Sequence, residues 1–320
     1  MSLVINITTP EGIVLAADSR QSYRNQRGAA RIGSDNASKL FKINERIAIA
    51  ATGLAFLPEN GMMKNISKYI EQFKKSEDTE KMTVKEVAEK IHKYFGNIYK
   101  VEEQIKAITS QFERDVTLNG GKIITTEVKN NIVIVQVQDK NGKTGVINAM
   151  LEPLNFLLAG FNKNYESHEV YTCRIPGEIE IKRNSKEPGK EYGASWEGQN
   201  DVASRIVLGF DGRIGNIKFV QESAQKYGQE EINKQLRNLE YAIQWGTMTL
   251  QDAIDFSALI IKTTSAIQRF SDGIVADPGA IPGVGGPVDV AIIVPDKGFT
   301  WIKKKELVVE DDCKESTKSI

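Results

Sequence analysis

The second residue of the chain is a serine, and what a serine hydroxyl can do depends on which group takes its proton. Inside a chain it needs a neighbouring base; at the start of one, its own α-amine can serve, a role recognised for threonine. Removal of Met1 would put Ser2 in that position, with nucleophile and free amine on one residue. The reference pKa of an α-amine is about 7.7–8.0, so part of it is neutral near physiological pH, and a nearby ammonium lowers it further. A buried lysine, with a carboxylate to hold it, would complete such a site. Asp18, at the end of GIVLAA, and Lys39, at the start of KLFKI, are the candidates. Gly53, after RIAIAAT, has no side chain to block close approach, so its N–H is a candidate donor to a developing oxyanion. The plainer readings stand beside these: a second-position serine is common, Asp18 and Lys39 also suit a structural ion pair, and Gly53 suits a turn.

The elements that must position these residues are short apolar runs. LVINI at 3–7, GIVLAA at 12–17 and RIAIAA at 46–51 are rich in β-branched residues and read as neighbouring strands of one sheet. Pro10-Glu11-Gly12 supplies a tight turn between the first two, and 28–36 reads as a polar loop before a short strand, KLFKI. One helix is expected after Gly53 through about Lys75. Another is expected after Thr83, where Val84, Val87, Ala88, Ile91 and Phe95 recur at helical spacing behind a Thr83/Glu86 capping box. Strands follow in NIVIVQVQD, KTGVINA, NFLLAGF and EIEIK between 131 and 182, with lengths and turns that suggest antiparallel meanders. Residues 216–245 read as helix-prone, with Ile232, Leu236, Leu239 and Ile243 on one face. Thr249 caps a further helix that carries Asp252 in its first turn, and 288–302 reads as a closing hairpin. The order of these elements predicts an α+β fold of two antiparallel sheets flanked by helices, not a doubly wound parallel sheet.

Composition bounds the function. The 42 basic and 42 acidic residues cancel, without a basic block that would track phosphates, so neither nucleic acid nor a membrane surface is implied. Cys173 and Cys313 are far apart, and His92 and His168 are isolated, so the sequence offers neither a disulfide framework nor a metal site. No apolar run approaches a membrane span, and no signal-peptide plan is visible, so a cytoplasmic protein without cofactor is expected. No repeat or Pro-rich linker marks a boundary. The simplest account is one domain over 1–309 and a flexible polar tail over 310–320. There is no Gly-x-x-x-x-Gly-Lys loop, so any ATP-dependent unfoldase must be a separate chain.

GIVLAADSR followed by SKLFKINERIAIAATGLA resembles the N-terminal half of proteasome β-type subunits and their bacterial relatives, the N-terminal nucleophile hydrolases. In that family a nucleophile begins the mature chain, Asp-Ser-Arg follows the second strand, and a lysine stands fourteen residues before an oxyanion-hole glycine, as Lys39 stands before Gly53. The family's nucleophile and aspartate are sixteen residues apart, which is the step from Ser2 to Asp18. The resemblance implies a four-layer αββα sandwich with Ser2 as nucleophile and base, Lys39 as the cation tuning its amine, Asp18 as the lysine's partner and Gly53 as oxyanion donor. Ser22 and Ala55 would bind substrate. It implies an amide-bond hydrolase, most simply a peptidase acting on peptides or proteins, as a homo-oligomer that could be a ring. A non-catalytic ring or scaffold subunit and a small-amide acylase or acyl transferase remain the alternatives. The family's α-type subunits carry an extension before the first strand that is not seen here, which favours catalysis.

The match is dense over 2–55 and thinner in 155–171, 192–201 and 284–294. Serine replaces the usual threonine and lacks the β-methyl that restrains χ1. Gln199 falls near the family's later serine, and Ile281 and Val284 fall on its Asp-x-x-Ser, leaving Asp272 or Asp277 as the substitute acid that steadies the amine. The glycines of GGPVDV read as a bend into an edge strand. Surplus length falls near 97–145 and 211–245 and reads as insertions.

Overall fold

A computed structural model describes residues 2–24, 30–59, 61–129, 131–275, 277–278 and 281–306. Strands β1 (Leu3–Thr9) and β2 (Gly12–Ala17) pair antiparallel across Pro10 and Glu11, where Glu11 N–H donates to the Thr9 hydroxyl at 3.3 Å. Next come β3 (Gln21–Arg24) and β4 (Ala30–Ser34), a ribbon in which Ile32 pairs with Ser22. Part of the stretch read as a polar loop is therefore strand: its side chains are too polar to signal one, and the backbone pairing supplies what periodicity does not. After β5 (Leu40–Lys42) and β6 (Ile47–Gly53) the chain makes a hairpin, β7 (Phe56–Glu59) and β8 (Met62–Asn65). The helix expected directly after Gly53 begins later, as α1 (Ile66–Ser76), because Asn65 caps it there by accepting from Ser67 N–H at 2.9 Å. Helix α2 (Val84–Tyr99) starts at the Thr83/Glu86 capping box.

Helix α3 (Val101–Leu118) packs on a three-stranded sheet of β9 (Lys122–Lys129), β10 (Ile132–Gln138) and β11 (Thr144–Met150), whose order is β11-β10-β9. There follow β12 (Leu154–Phe161), β13 (His168–Ile175), β14 (Ile179–Asn184), β15 (Gly193–Gly198) and α4 (Asp201–Leu208). The 216–245 segment does not form one continuous helical face. It breaks at Gly228 between α5 (Lys218–Tyr227) and α6 (Gln229–Leu236), and the end of α6 at Leu236 leaves Leu239 exposed and Ile243 outside any helix. Helix α7 (Leu250–Phe270) opens on the Thr249/Asp252 capping box, and β16 (Gly273–Ile274), β17 (Asp277–Pro278), β18 (Asp289–Val294) and β19 (Gly298–Lys303) complete the described chain. The tail from 310 and Cys313 lie outside the described residues.

Two five-stranded antiparallel sheets dominate, β15-β1-β2-β18-β19 and β14-β13-β12-β6-β5. Alternation along each strand sends residues to opposite faces, and three apolar cores result. Val4, Ile13, Leu15, Ala17 and Ala291 of the first sheet meet Ala48, Ala50, Leu157 and Ala159 of the second in a layer between the sheets. The outer face of the first, with Leu3, Ile5, Val14 and Ala16, packs on Ala203 of α4 and on Ala253, Ile260 and Ile261 of α7. The outer face of the second, with Ile47, Ile49, Phe156 and Cys173, packs on Ile70 and Phe73 of α1 and on Val87, Ile91 and Phe95 of α2. Helix, sheet, sheet, helix is the layer order. Strand β18 lies between β2 and β19, so the double glycine leads into an interior strand and not an edge. Among the described residues no helix is long and apolar enough to cross a membrane.

Candidate active site

At one end of the sandwich the start of β1, the end of β2, the end of β15 and the approach to β18 come together. Asp18 lies at their centre, fully buried. Its Oδ1 accepts from the N–H of Leu3 at 2.9 Å and from Lys39 Nζ at 2.7 Å. Its Oδ2 accepts from the N–H groups of Arg20 and Gly285, each at 3.1 Å. Four donors around one carboxylate, one of them an ammonium, are what let a charge remain in a dry interior. Lys39 donates also to the Arg20 carbonyl at 2.5 Å, and its own carbonyl accepts from Ala51 N–H at 2.8 Å, which fixes the lysine to β6. Burial pushes the Lys39 ammonium below the ordinary lysine value; Asp18 opposes that shift, while Lys305 and Arg20 add to it.

Ser2 is buried, and its carbonyl accepts from Gln199 N–H at 2.7 Å. Gly198 holds a φ of +97°, and a Cβ there would stand 2.0 Å from the Ser2 carbonyl oxygen and 3.1 Å from Thr52 Cγ2. Only a glycine lets β15 touch Ser2 and β6 at once. Gly53 follows Thr52 at the end of β6 and is exposed, and its neighbour Leu54 donates to the Pro153 carbonyl at 3.0 Å. Ser2, just before β1, and Thr52, on the other sheet, therefore both pack against Gly198, and Gly53 is the next residue after Thr52.

Residues 2–110 match the family model described as Proteasome subunit. Over that stretch the chain is proteasome-like. No curated protein matches the chain. The proteasome-like segment carries Ser2, Asp18, Lys39 and Gly53, and it runs from β1 into α3. Gly198, Gln199 and Gly285, which complete the contacts of Ser2 and Asp18, come from beyond it.

Around the proteasome-like core of the site, Arg20 forms a two-point pair with Asp35, Nε to Oδ1 at 2.7 Å and Nη2 to Oδ2 at 2.9 Å. The hydrogen bonds raise the arginine and hold the Asp35 carboxyl below the usual range. A second buried pair joins Asp289 of the neighbouring strand β18, in register with Ala17, to Lys305 just past β19. Sequence reasoning missed this pair, the Arg20–Asp35 pair and the Gly285 N–H. The signal available for the last was the double glycine itself, which lets the backbone pass beside the Arg20 guanidinium and, at Gly286, against the Asp35 carbonyl.

The remaining candidates are spread more widely. Ser22 is half-buried on β3. Ala55 is half-buried just past β6, and its carbonyl accepts from Ile66 N–H at 3.0 Å at the start of α1. Asp272 is exposed in the turn after α7, with no hydrogen bond to Ser2 among the described residues. Asp277 pairs its backbone with Ile274, and its side chain lies outside the described residues. His92 Nε2 lies 2.9 Å from the Gly177 carbonyl and His168 Nε2 lies 2.7 Å from that of Glu191, so both are satisfied by backbone. Cys173 is buried, which pushes its thiol up to about 12. Among the described residues no group of three or more His, Cys, Asp or Glu is placed to hold a metal ion.

Proposed function

We propose that the protein is an N-terminal nucleophile hydrolase of amide bonds, a peptidase in which Ser2 becomes the first residue once Met1 is removed. The observation that carries this reading is the shared Oδ1 of Asp18, which takes the Leu3 N–H and the Lys39 ammonium together. One carboxylate thus holds both the peptide that follows the nucleophile and the cation that would lower the proton affinity of its amine. The neutral α-amine takes the Ser2 Oγ proton as Oγ attacks the substrate carbonyl carbon, and Gly53 N–H faces the oxyanion. The resulting α-ammonium protonates the leaving amine. Water, activated by the same amine, then breaks the ester bond and returns Ser2 to its starting state.

The substrate is a peptide or protein, and the working form a homo-oligomer, with a ring as the arrangement that subunits of this family typically adopt. We place it in the cytoplasm, served by a separate ATP-dependent unfoldase where the substrate is folded. Intact-mass measurement of protein from its native host tests the first requirement: a chain that retains Met1 has no free Ser2 amine, and the catalytic reading fails. Ser2→Ala is expected to abolish peptide turnover. Full turnover in that variant would overturn Ser2 as the nucleophile, whereas a parent protein that has lost Met1 and turns over no peptide would belong with the non-catalytic subunits, in which Asp18 and Lys39 serve packing alone.

A further inference from the structure

Between the two sheets, apolar side chains dominate a layer that also buries the uncharged Asn6, Thr8 and Thr172, and charged groups enter it at the site end. Thr52, Asn155 and Arg174 stand in one cross-strand row on β6, β12 and β13. Ala50, Leu157 and Val170, on the same faces of those strands, belong to the apolar layer between the sheets, so the polar row points into that layer too. From the opposite sheet comes Glu197 of β15, in register with Val4, which also faces inward. Arg174 Nη2 donates to Glu197 Oε1 at 2.9 Å, and Asn155 Nδ2 lies 3.5 Å from Oε2. The other side of the guanidinium donates to Glu180 at 2.8 Å, and Lys182 pairs with Glu180 at 2.6 Å. The Glu197 side chain is 9% exposed.

Glu197 is buried while the Arg174 side chain is 40% exposed, so the pair stands at the mouth of the layer, where the buried carboxylate needs a partner. What the ion pair adds is a fixed distance between two sheets. The Thr52 Oγ1 and Asn155 Oδ1 atoms are buried without a hydrogen-bond partner among the described residues, so the row is tied across the gap mainly through Arg174 and Glu197. Each side of that tie leads directly to a reacting group. Glu197 precedes Gly198 and Gln199, which touch and hold the Ser2 carbonyl. Asn155 is in register with Thr52, which precedes Gly53.

We infer that Arg174 and Glu197 are an inter-sheet clamp that sets the gap between Ser2 and Gly53, and that both are positioning residues for the proposed reaction. The inference rests on the assignment of Ser2 as nucleophile. A nucleophile and an oxyanion donor on different sheets keep their spacing only if the sheets do, and a misplacement of about 1 Å can cost about 100-fold in rate.

Glu197→Gln keeps the size of the side chain and removes the charge. It is expected to lower kcat about 10- to 100-fold while KM stays near that of the parent protein. The swapped pair Arg174→Glu with Glu197→Arg is expected to recover part of the loss, which a purely volumetric role would not allow. Hydrogen exchange by mass spectrometry gives a readout independent of turnover: Glu197→Gln should speed exchange in peptides covering 2–5 and 51–54 and leave 158–161 unchanged. Parental kcat, or exchange that rises equally everywhere, overturns the clamp. Full turnover in Ser2→Ala overturns the nucleophile assignment, and the catalytic role of the clamp falls with it. An inactive Ser2→Ala beside a fully active Glu197→Gln sinks the clamp alone.

Discussion

A Cβ on Gly53 would stand 1.8 Å from the carbonyl oxygen of Pro153, at a φ of +86° that side chains rarely adopt. The glycine is thus demanded by backbone as well as by its proposed part in catalysis. Gly53→Ala is expected to destabilise the fold by about 1–3 kcal/mol, through strain at Gly53 or displacement of the Pro153 carbonyl. Thermal unfolding measures that cost, and turnover should fall with it because the N–H moves. A melting temperature equal to that of the parent would show that the close approach relaxes without strain.

Asp18→Asn keeps the shape of the carboxyl group and removes the charge that opposes the effect of burial on Lys39. Breaking a buried pair on one side costs about 3–5 kcal/mol, and part of that loss should depend on pH. With its folded pKa lowered, Lys39 has released a proton that the unfolded chain still holds, over the window between the lowered value and the ordinary one of 10.5. Stability rises with pH across that window and gives up the gain as pH falls through the folded pKa. Asp18→Asn pushes the lower edge of the window further down. Its denaturant midpoint is expected to climb by more than that of the parent as pH rises toward the ordinary lysine value, and Lys39→Met should flatten the climb.

The sequence made the Ser2, Asp18, Lys39 and Gly53 set legible because each residue sits at the edge of a strongly apolar strand, and such strands announce themselves. GIVLAA is the strand β2 to the residue, and IAIAATG continues its match into Gly53. The β3–β4 ribbon and β9 were opaque, since Gln21, Ser22 and Tyr23 in the one and KIITTEVK in the other bury too little for a pattern to form. Gly198, Gln199, Gly285 and Glu197 were hidden for another reason. They reach Ser2 and Asp18 only through strand order, and no local spacing tells that β15 lies beside β1 or that β18 lies beside β2.

Asp211, in the turn after α4, offers an acid-range test. Hydrogen bonds from Arg213, joined by Arg205, hold its carboxyl down at about 2, and they tie α4 to the turn that follows it. A lowered carboxylate contributes stability above its ordinary pKa and loses it as pH falls through the folded value. The contribution should therefore fade from about pH 4 toward pH 2, worth about 1 kcal/mol because both arginines reach solvent. Asp211→Asn is expected to be less stable than the parent at neutral pH and to differ from it little at pH 2, as read by urea unfolding at both.

The two glycines beside Asp18 should respond unequally to the same added methyl group. On Gly285 a Cβ would stand 2.5 Å from Arg20 Cζ, the far end of a flexible side chain that can swing away at the cost of its partly exposed pair with Asp35. On Gly286, with a φ of +71°, it would stand 2.3 Å from the Asp35 carbonyl oxygen, where backbone must move. Gly285→Ala is accordingly expected to cost about 1 kcal/mol or less and to keep the Gly285 N–H on Asp18. Gly286→Ala should cost about 1–3 kcal/mol. Thermal melting of the two variants orders them, and equal losses would mean that Arg20 is held as rigidly as the backbone beside it.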